Sequence, residues 1–124
     1  MKKLSRKGLR TKLDKLVKEY VKKRDNYTCQ RCGKKLEGSN CHGSHVIPVS
    51  AGLRWAYDTE NIIVLCFHDH INYWHKNPIE ASQWFQDKFP ERYAYLQQVR
   101  EMYTNEPIKD YVLEELYNEL KSKL

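Results

Sequence analysis

Apolar residues first recur at helical spacing near the start of the chain, where Leu9, Leu13, Leu16, Val17 and Tyr20 predict a helix over about 9–24 with one apolar stripe. A turn-rich stretch over 26–40, with Gly33 and Gly38, follows it. Two short β-branched runs, 44–49 and 62–65, then predict strands able to pair as an antiparallel hairpin around a loop over 51–59. Pro48 falls near the end of the first run, where a missing backbone donor is tolerated. Beyond the hairpin the spacing predicts a helix over about 68–75, ending before Asn77-Pro78. Pro78 and Pro90 each suit the first position of a further helix, running to about Phe89 and Tyr103. After Pro107, Leu113, Leu116, Tyr117, Leu120 and Leu124 mark a last amphipathic helix. The fold class is therefore α+β. Trp74, Trp84, Phe85, Phe89, Tyr93, Leu96, Val99 and Tyr103 read as core rather than as a stacking surface.

At 124 residues the chain suits a single domain, 1–124, made of a basic helical extension (about 1–25), a central segment (26–77) and a helical C-terminal part (78–124). Charge is spread unevenly. Residues 1–24 hold eleven Lys or Arg against Asp14 and Glu19, a local +9 that leaves −3 for the rest of a chain whose total is +6. The polar face of the first helix offers Lys12, Lys15, Lys18, Lys22 and Lys23 to a polyanion; the competing reading is a merely solvated face. No apolar stretch is long enough to span a bilayer, and the positive start is not followed by the apolar run of a signal peptide. A cytoplasmic location is expected, in a bacterial or phage-infected cell, and there four cysteines suit metal ligation better than disulfides.

All four cysteines and all five histidines fall between Cys29 and His75. In TCQRCG (28–33), Cys29 and Cys32 can present two thiolates to one zinc ion, with Gly33 easing the fold-back of the chain. Cys66 supplies a third. Asp69, three residues on at a helix start, Cys41 and His68 compete for the fourth place. A redox role for the CxxC would need a βαβ setting that the pattern lacks. Strand, strand and helix would also bring His45, Asn61 and His70 around one cavity, and His42 shares the strand parity of Ser44. His75 lies five residues after His70, so an ordinary helix would turn it away from that cavity, to the surface or the second shell.

These residues resemble the HNH endonucleases, the ββα-metal superfamily, above all the small zinc-containing phage type. SHVIP (44–48) is similar to the motif of the base-bearing strand, and NIIVLCFHDH (61–70) to that of the second strand and helix. A looser similarity to the NinG or Rap phage recombination proteins lies in GSH (43–45) and LRWAYDTEN (53–61). The resemblance implies a ββα-metal core with a zinc knuckle, flanked by the basic helix and the C-terminal helices. It implies His45 as general base, His70 as ligand of a catalytic divalent ion, Mg²⁺ or Mn²⁺, and Asn61 as the residue that holds hairpin and loop together. DNA is the implied partner, with 5′-phosphate and 3′-hydroxyl products. Two positions depart from the family pattern: Ser44 stands where a metal-binding Asp or His is usual, and Asp69 where the knuckle usually ends in Cys. His42 could take over the first role. Arg54 would grip a phosphate, or else pair with Asp58 or Glu60 while Trp55 caps the core. A zinc-stabilised DNA-binding module without catalysis is the competing function. Target preference, nick or double-strand cut, and oligomeric state are open at this point.

Overall fold

The computed structural model describes residues 4–103 and 107–124, so Lys2 and Lys3 of the basic segment lie outside the described residues. Helix α1 (Arg6–Arg24) begins where the Ser5 hydroxyl accepts from the Gly8 amide, and it buries Leu9, Leu13, Val17 and Val21. Each such side chain contributes about 1.5–3 kcal/mol of apolar burial. That stripe packs on α4 (Asp110–Lys123) through Leu113 and Leu120, and an Arg6–Asp110 ion pair of 2.7 Å closes the end of the helix pair.

Strands β1 (His42–His45) and β2 (Ile62–Leu65) pair antiparallel with His42 opposite Leu65 and His45 opposite Ile62. The fold is α+β, as the patterning requires. β1 starts two residues earlier than the apolar run suggests and stops before Val46. The reason lies in the hydrogen bonding. The Val46 amide still reaches the Asn61 carbonyl, but the Ile47 amide donates to the Asn61 side chain, and Pro48 has no donor. The loop is not featureless either, since it winds through short 3₁₀ turns at Val49–Ala51, Leu53–Ala56 and Thr59–Asn61.

The hairpin is sandwiched between two cores. Ile62 joins the α1/α4 cluster, while Ile63, Val64 and Leu65 join a second cluster with Trp55, Trp74, Phe85 and Leu96. On β1, a Cβ at Gly43 would stand 3.4 Å from Ile62 and 3.7 Å from Lys18, so α1 lies close over the strand. The outer edge of β2 is sealed by side chains and the knuckle. Arg24 donates to the Thr59 and Ile62 carbonyls, Asp25 accepts from the Val64 amide, and the Gln30 amide donates to the Val64 carbonyl. An otherwise unpaired edge is thereby satisfied.

After β2 the chain does not enter an ordinary α-helix but a π-helix, His68–Trp74, in which the His75 amide donates to the His70 carbonyl at 3.1 Å. Helices α2 (Pro78–Lys88) and α3 (Pro90–Arg100) follow, each with proline in its first turn. The latter ends earlier than expected, and Tyr103 leaves the helix to donate to Asp58 at 2.7 Å, beside Tyr95 at 2.9 Å. No helix among the described residues is long and apolar enough to cross a membrane.

Candidate metal centre and active site

The knuckle turns back on itself through left-handed Asn26, Tyr27 and Gly33 (φ 54°, 52° and 78°) and is pinned by the Thr28–Lys35 bridge. This brings Cys29 and Cys32 against the start of the π-helix. One donor atom each from Cys29, Cys32, Cys66 and Asp69 lies within 4.8 Å of every other. The Cys29 Sγ to Asp69 Oδ2 distance is 3.1 Å, Cys66 Sγ to the same oxygen 3.4 Å, and Cys32 Sγ to Cys66 Sγ 3.9 Å. Donors sharing one tetrahedral zinc stand about 3.5–3.8 Å apart, so the set fits that ion with little movement. Of the three candidates for the fourth position, the structure brings Asp69 into the group; Cys41 is buried outside it and His68 is exposed.

Burial pushes the Cys29 thiol up to about 12 and raises Cys66 as well. Burial also works to raise the Asp69 carboxyl, but hydrogen bonds from Cys29, Arg31, Cys66 and Cys32 outweigh it and hold the group below its ordinary value. Arg31 was not singled out by the sequence. Its guanidinium meets Asp69 at 2.8 Å and lies over the Tyr73 ring, 3.5 Å from the centroid. Its place inside the CxxC was the available signal, since a cation beside a thiolate group offsets its negative charge.

The histidines form a second group. His42 and His70 face each other with Nδ1 atoms 2.9 Å apart, and the His42 Nε2 stands 2.7 Å from the Ser39 carbonyl oxygen. A carbonyl only accepts, so the His42 Nε2 carries a proton. Burial, with repulsion from His75, His42 and His45, holds the His70 imidazole down to about 4. His75 does not turn away. Its ring centroid is 4.5 Å from that of His70, because the π-helix stacks residue i+5 where an α-helix would carry it about 140° round the axis.

His45 alternates with His42 and Ser44 along β1 and lines a cavity of about 240 Å³ with Arg10, Asp14 and Lys18 of α1 and Tyr57 of the loop. Its Nε2 is buried with no partner, as is the Ser44 hydroxyl. Burial lowers the His45 imidazole from its ordinary value, against a backbone hydrogen bond with Ala56. Asn61 is fully buried. Its amide donates to the Ile47 and Trp55 carbonyls at 2.9 and 3.0 Å while its oxygen accepts from the Ile47 amide at 2.8 Å.

Residues 29–76, from the first cysteine of the knuckle to just past His75, match the family model of the HNH endonucleases. This segment is an HNH domain. Among curated proteins and among solved structures, none matches the chain. The HNH segment thus spans both the thiolate group and the histidine group, and it ends where α2 begins.

Around the HNH domain the expected DNA-contacting residues are distributed unequally. Lys12 and Lys15 are exposed on α1, and Lys22 is half-buried. Arg54 lies 5.4 Å above the Tyr103 ring and lines a different cleft from His45, one of about 590 Å³ shared with Arg92, Tyr95 and Glu60. Trp55 is buried against Tyr103 at 4.6 Å between centroids. Glu60, the other expected partner of Arg54, pairs with Arg92 at 3.1 Å.

Proposed function

We propose that the protein is a metal-dependent DNA endonuclease that hydrolyses phosphodiester bonds, with His45 as general base and His70 as ligand of a divalent ion. The observations that support this reading best lie inside one HNH domain, on opposite faces of β1: a buried imidazole nitrogen without a partner on His45, in a cavity that Asn61 and His70 do not line, and two imidazole nitrogens 2.9 Å apart on His42 and His70. A base that must work near neutral pH has to be uncharged, and burial of His45 favours that state. A divalent ion beside His70 would stabilise the charge that develops on the phosphate and on the leaving 3′ oxygen. The donor chemistry fits such an ion, since both imidazoles are half-buried and their Nδ1 atoms already converge.

The chain's own residues would do the rest. His45 takes the proton of the attacking water at Nε2. Asn61, through its three bonds to Ile47 and Trp55, holds the loop that follows the base-bearing strand. Lys12 and Lys15 bind backbone phosphates without reading sequence, as does Lys22 where it reaches solvent. Zinc at Cys29, Cys32, Cys66 and Asp69 ties the knuckle to the start of the π-helix.

One observation favours a second reading, a DNA-binding module without catalysis: the Ser44 hydroxyl occupies the strand position from which a stronger metal ligand would be expected. Incubation of purified protein with supercoiled and branched DNA, with and without added divalent ions, separates the two. Cleavage that falls at least about a hundredfold in His45→Ala, with DNA binding retained, supports the nuclease. Binding without cleavage of any substrate by the parent protein supports the module.

A further inference from the structure

The four donor atoms of the knuckle divide into two pairs. Cys29 Sγ stands 3.1 Å from Asp69 Oδ2, and the Arg31 guanidinium meets the other oxygen of that carboxylate at 2.8 Å. Cys32 Sγ and Cys66 Sγ stand 3.9 Å apart and belong to residues 34 positions distant in the chain. Cys66 also lies 3.4 Å from Asp69 Oδ2, the longer of the two thiol contacts to that oxygen. Of the three cysteines only Cys32 is exposed; Cys29 and Cys66 are buried. A sulfur that solvent reaches, next to an arginine in the chain, is the kind that peroxides attack first. Three sulfurs can form only one disulfide, so a single oxidation at Cys32 and Cys66 would leave Cys29 and Asp69, two donors where zinc takes four.

We propose that Cys32 and Cys66 form a reversible disulfide that replaces zinc as the tether between the knuckle and the π-helix. The Cys32 thiolate attacks one oxygen of hydrogen peroxide, becomes a sulfenic acid and expels hydroxide. The Cys66 thiolate then attacks that sulfur, the S–S bond forms and a second hydroxide departs. Each sulfur gives up one electron, the O–O bond takes up the two, and zinc leaves as the hydrated ion. The sulfurs need to close from 3.9 Å to about 2.05 Å. The two groups left over already satisfy one another, since the Cys29 thiol donates to Asp69 and Arg31 keeps the carboxylate paired. A disulfide between Cys29 and Cys32 would close only the short CxxC turn and tie the knuckle to nothing. The bond from Cys32 to Cys66 encloses both strands of the hairpin, and a cross-link over so long a loop restricts the unfolded chain far more. The inference rests on the knuckle as the zinc site and is independent of DNA cleavage.

The test treats full-length zinc-loaded protein, freed of reductant, with hydrogen peroxide, while a chromogenic chelator too weak to strip the reduced protein reports released zinc. About one zinc per chain should appear in step with the loss of two of the four thiols. Peptide mapping without reduction should place the disulfide between Cys32 and Cys66. Amide hydrogen exchange should find β1 and β2 as protected as in the zinc-loaded protein, whereas reduced protein stripped by a strong chelator should lose that protection at least about tenfold. A small dithiol with added zinc should restore the starting state. Cys41→Ser, a change at a thiol outside the donor group, should oxidise as the parent does. A disulfide between Cys29 and Cys32, oxidation of Cys32 to the sulfinic acid without a disulfide, or oxidised protein as unprotected as the stripped form would each overturn the proposal. Protein that holds no zinc as purified yet forms the same disulfide would remove the zinc assignment and keep the pair.

Discussion

Arg31 and Asp69 form a 2.8 Å ion pair in which the carboxylate is buried and the guanidinium rests on Tyr73. Three thiolates and a carboxylate around a Zn²⁺ ion would carry a net −2, which Arg31 would reduce to −1. A single basic side chain inside the knuckle would thereby make an acidic fourth ligand tolerable in a buried place. Arg31→Met should lower zinc affinity about 10–100-fold, as loss of a group bound to a metal ligand commonly does. Competition with a chromogenic zinc chelator measures it, and unchanged affinity would mean the pair does not serve the metal.

Protein purified without added metal should hold about one zinc per chain, and chelation should unfold the central segment. Cys29→Ser should lose the metal, whereas Cys41→Ser should keep it, since Cys41 stands outside the group of four donor atoms. The opposite ranking in elemental analysis would reassign the fourth ligand.

Asn61→Ala removes three hydrogen bonds and leaves the Ile47 amide and the Ile47 and Trp55 carbonyls without their partner in the interior. A loss of about 3 kcal/mol or more is expected, because orphaned buried groups cost more than the bonds themselves contribute. Urea unfolding with unchanged slope gives the value. A loss below about 1 kcal/mol would show that water replaces the amide.

The pH dependence of cleavage should carry the lowered His45 value. The base works only when neutral, so the rate is full above its pKa and falls as pH drops through it; a lowered pKa moves that limb below the ordinary 6.5. Burial is the main cause, and Lys18 adds repulsion that Asp14 partly offsets. Lys18→Met should therefore move the limb to higher pH and Asp14→Asn to lower pH. A limb that neither variant moves would place the titrating base elsewhere.

The DNA contribution of α1 is best tested without shortening it, because Leu9 is buried and Arg6 pairs with Asp110. Lys12→Gln with Lys15→Gln should weaken binding to unrelated DNA sequences alike and flatten the salt dependence by up to about 0.9 per lost phosphate contact. An unchanged slope in fluorescence anisotropy would mean these lysines serve only solvation.

Local chemistry made much of this protein legible in its sequence. The leucine spacing of α1 and α4, prolines at the starts of α2 and α3, and the β-branched run of β2 specify their elements because each depends on neighbours within a few residues. The CxxC turn and the three residues from Cys66 to Asp69 likewise point to one metal, since both pairs converge by local geometry alone. What the tertiary structure decided depends on groups brought together from far apart in the chain. Asn61 ends β1 by taking the Ile47 amide, Tyr103 draws Arg54 into a cleft away from His45, and packing around Asp69 selects it over Cys41 and His68. The π-turn is the sharpest case. Helical periodicity sends His75 away from His70, and only the hydrogen bond from its amide to the His70 carbonyl, formed where Trp74 is buried and reaches the His45 carbonyl, shifts the register by one residue and brings the two rings together.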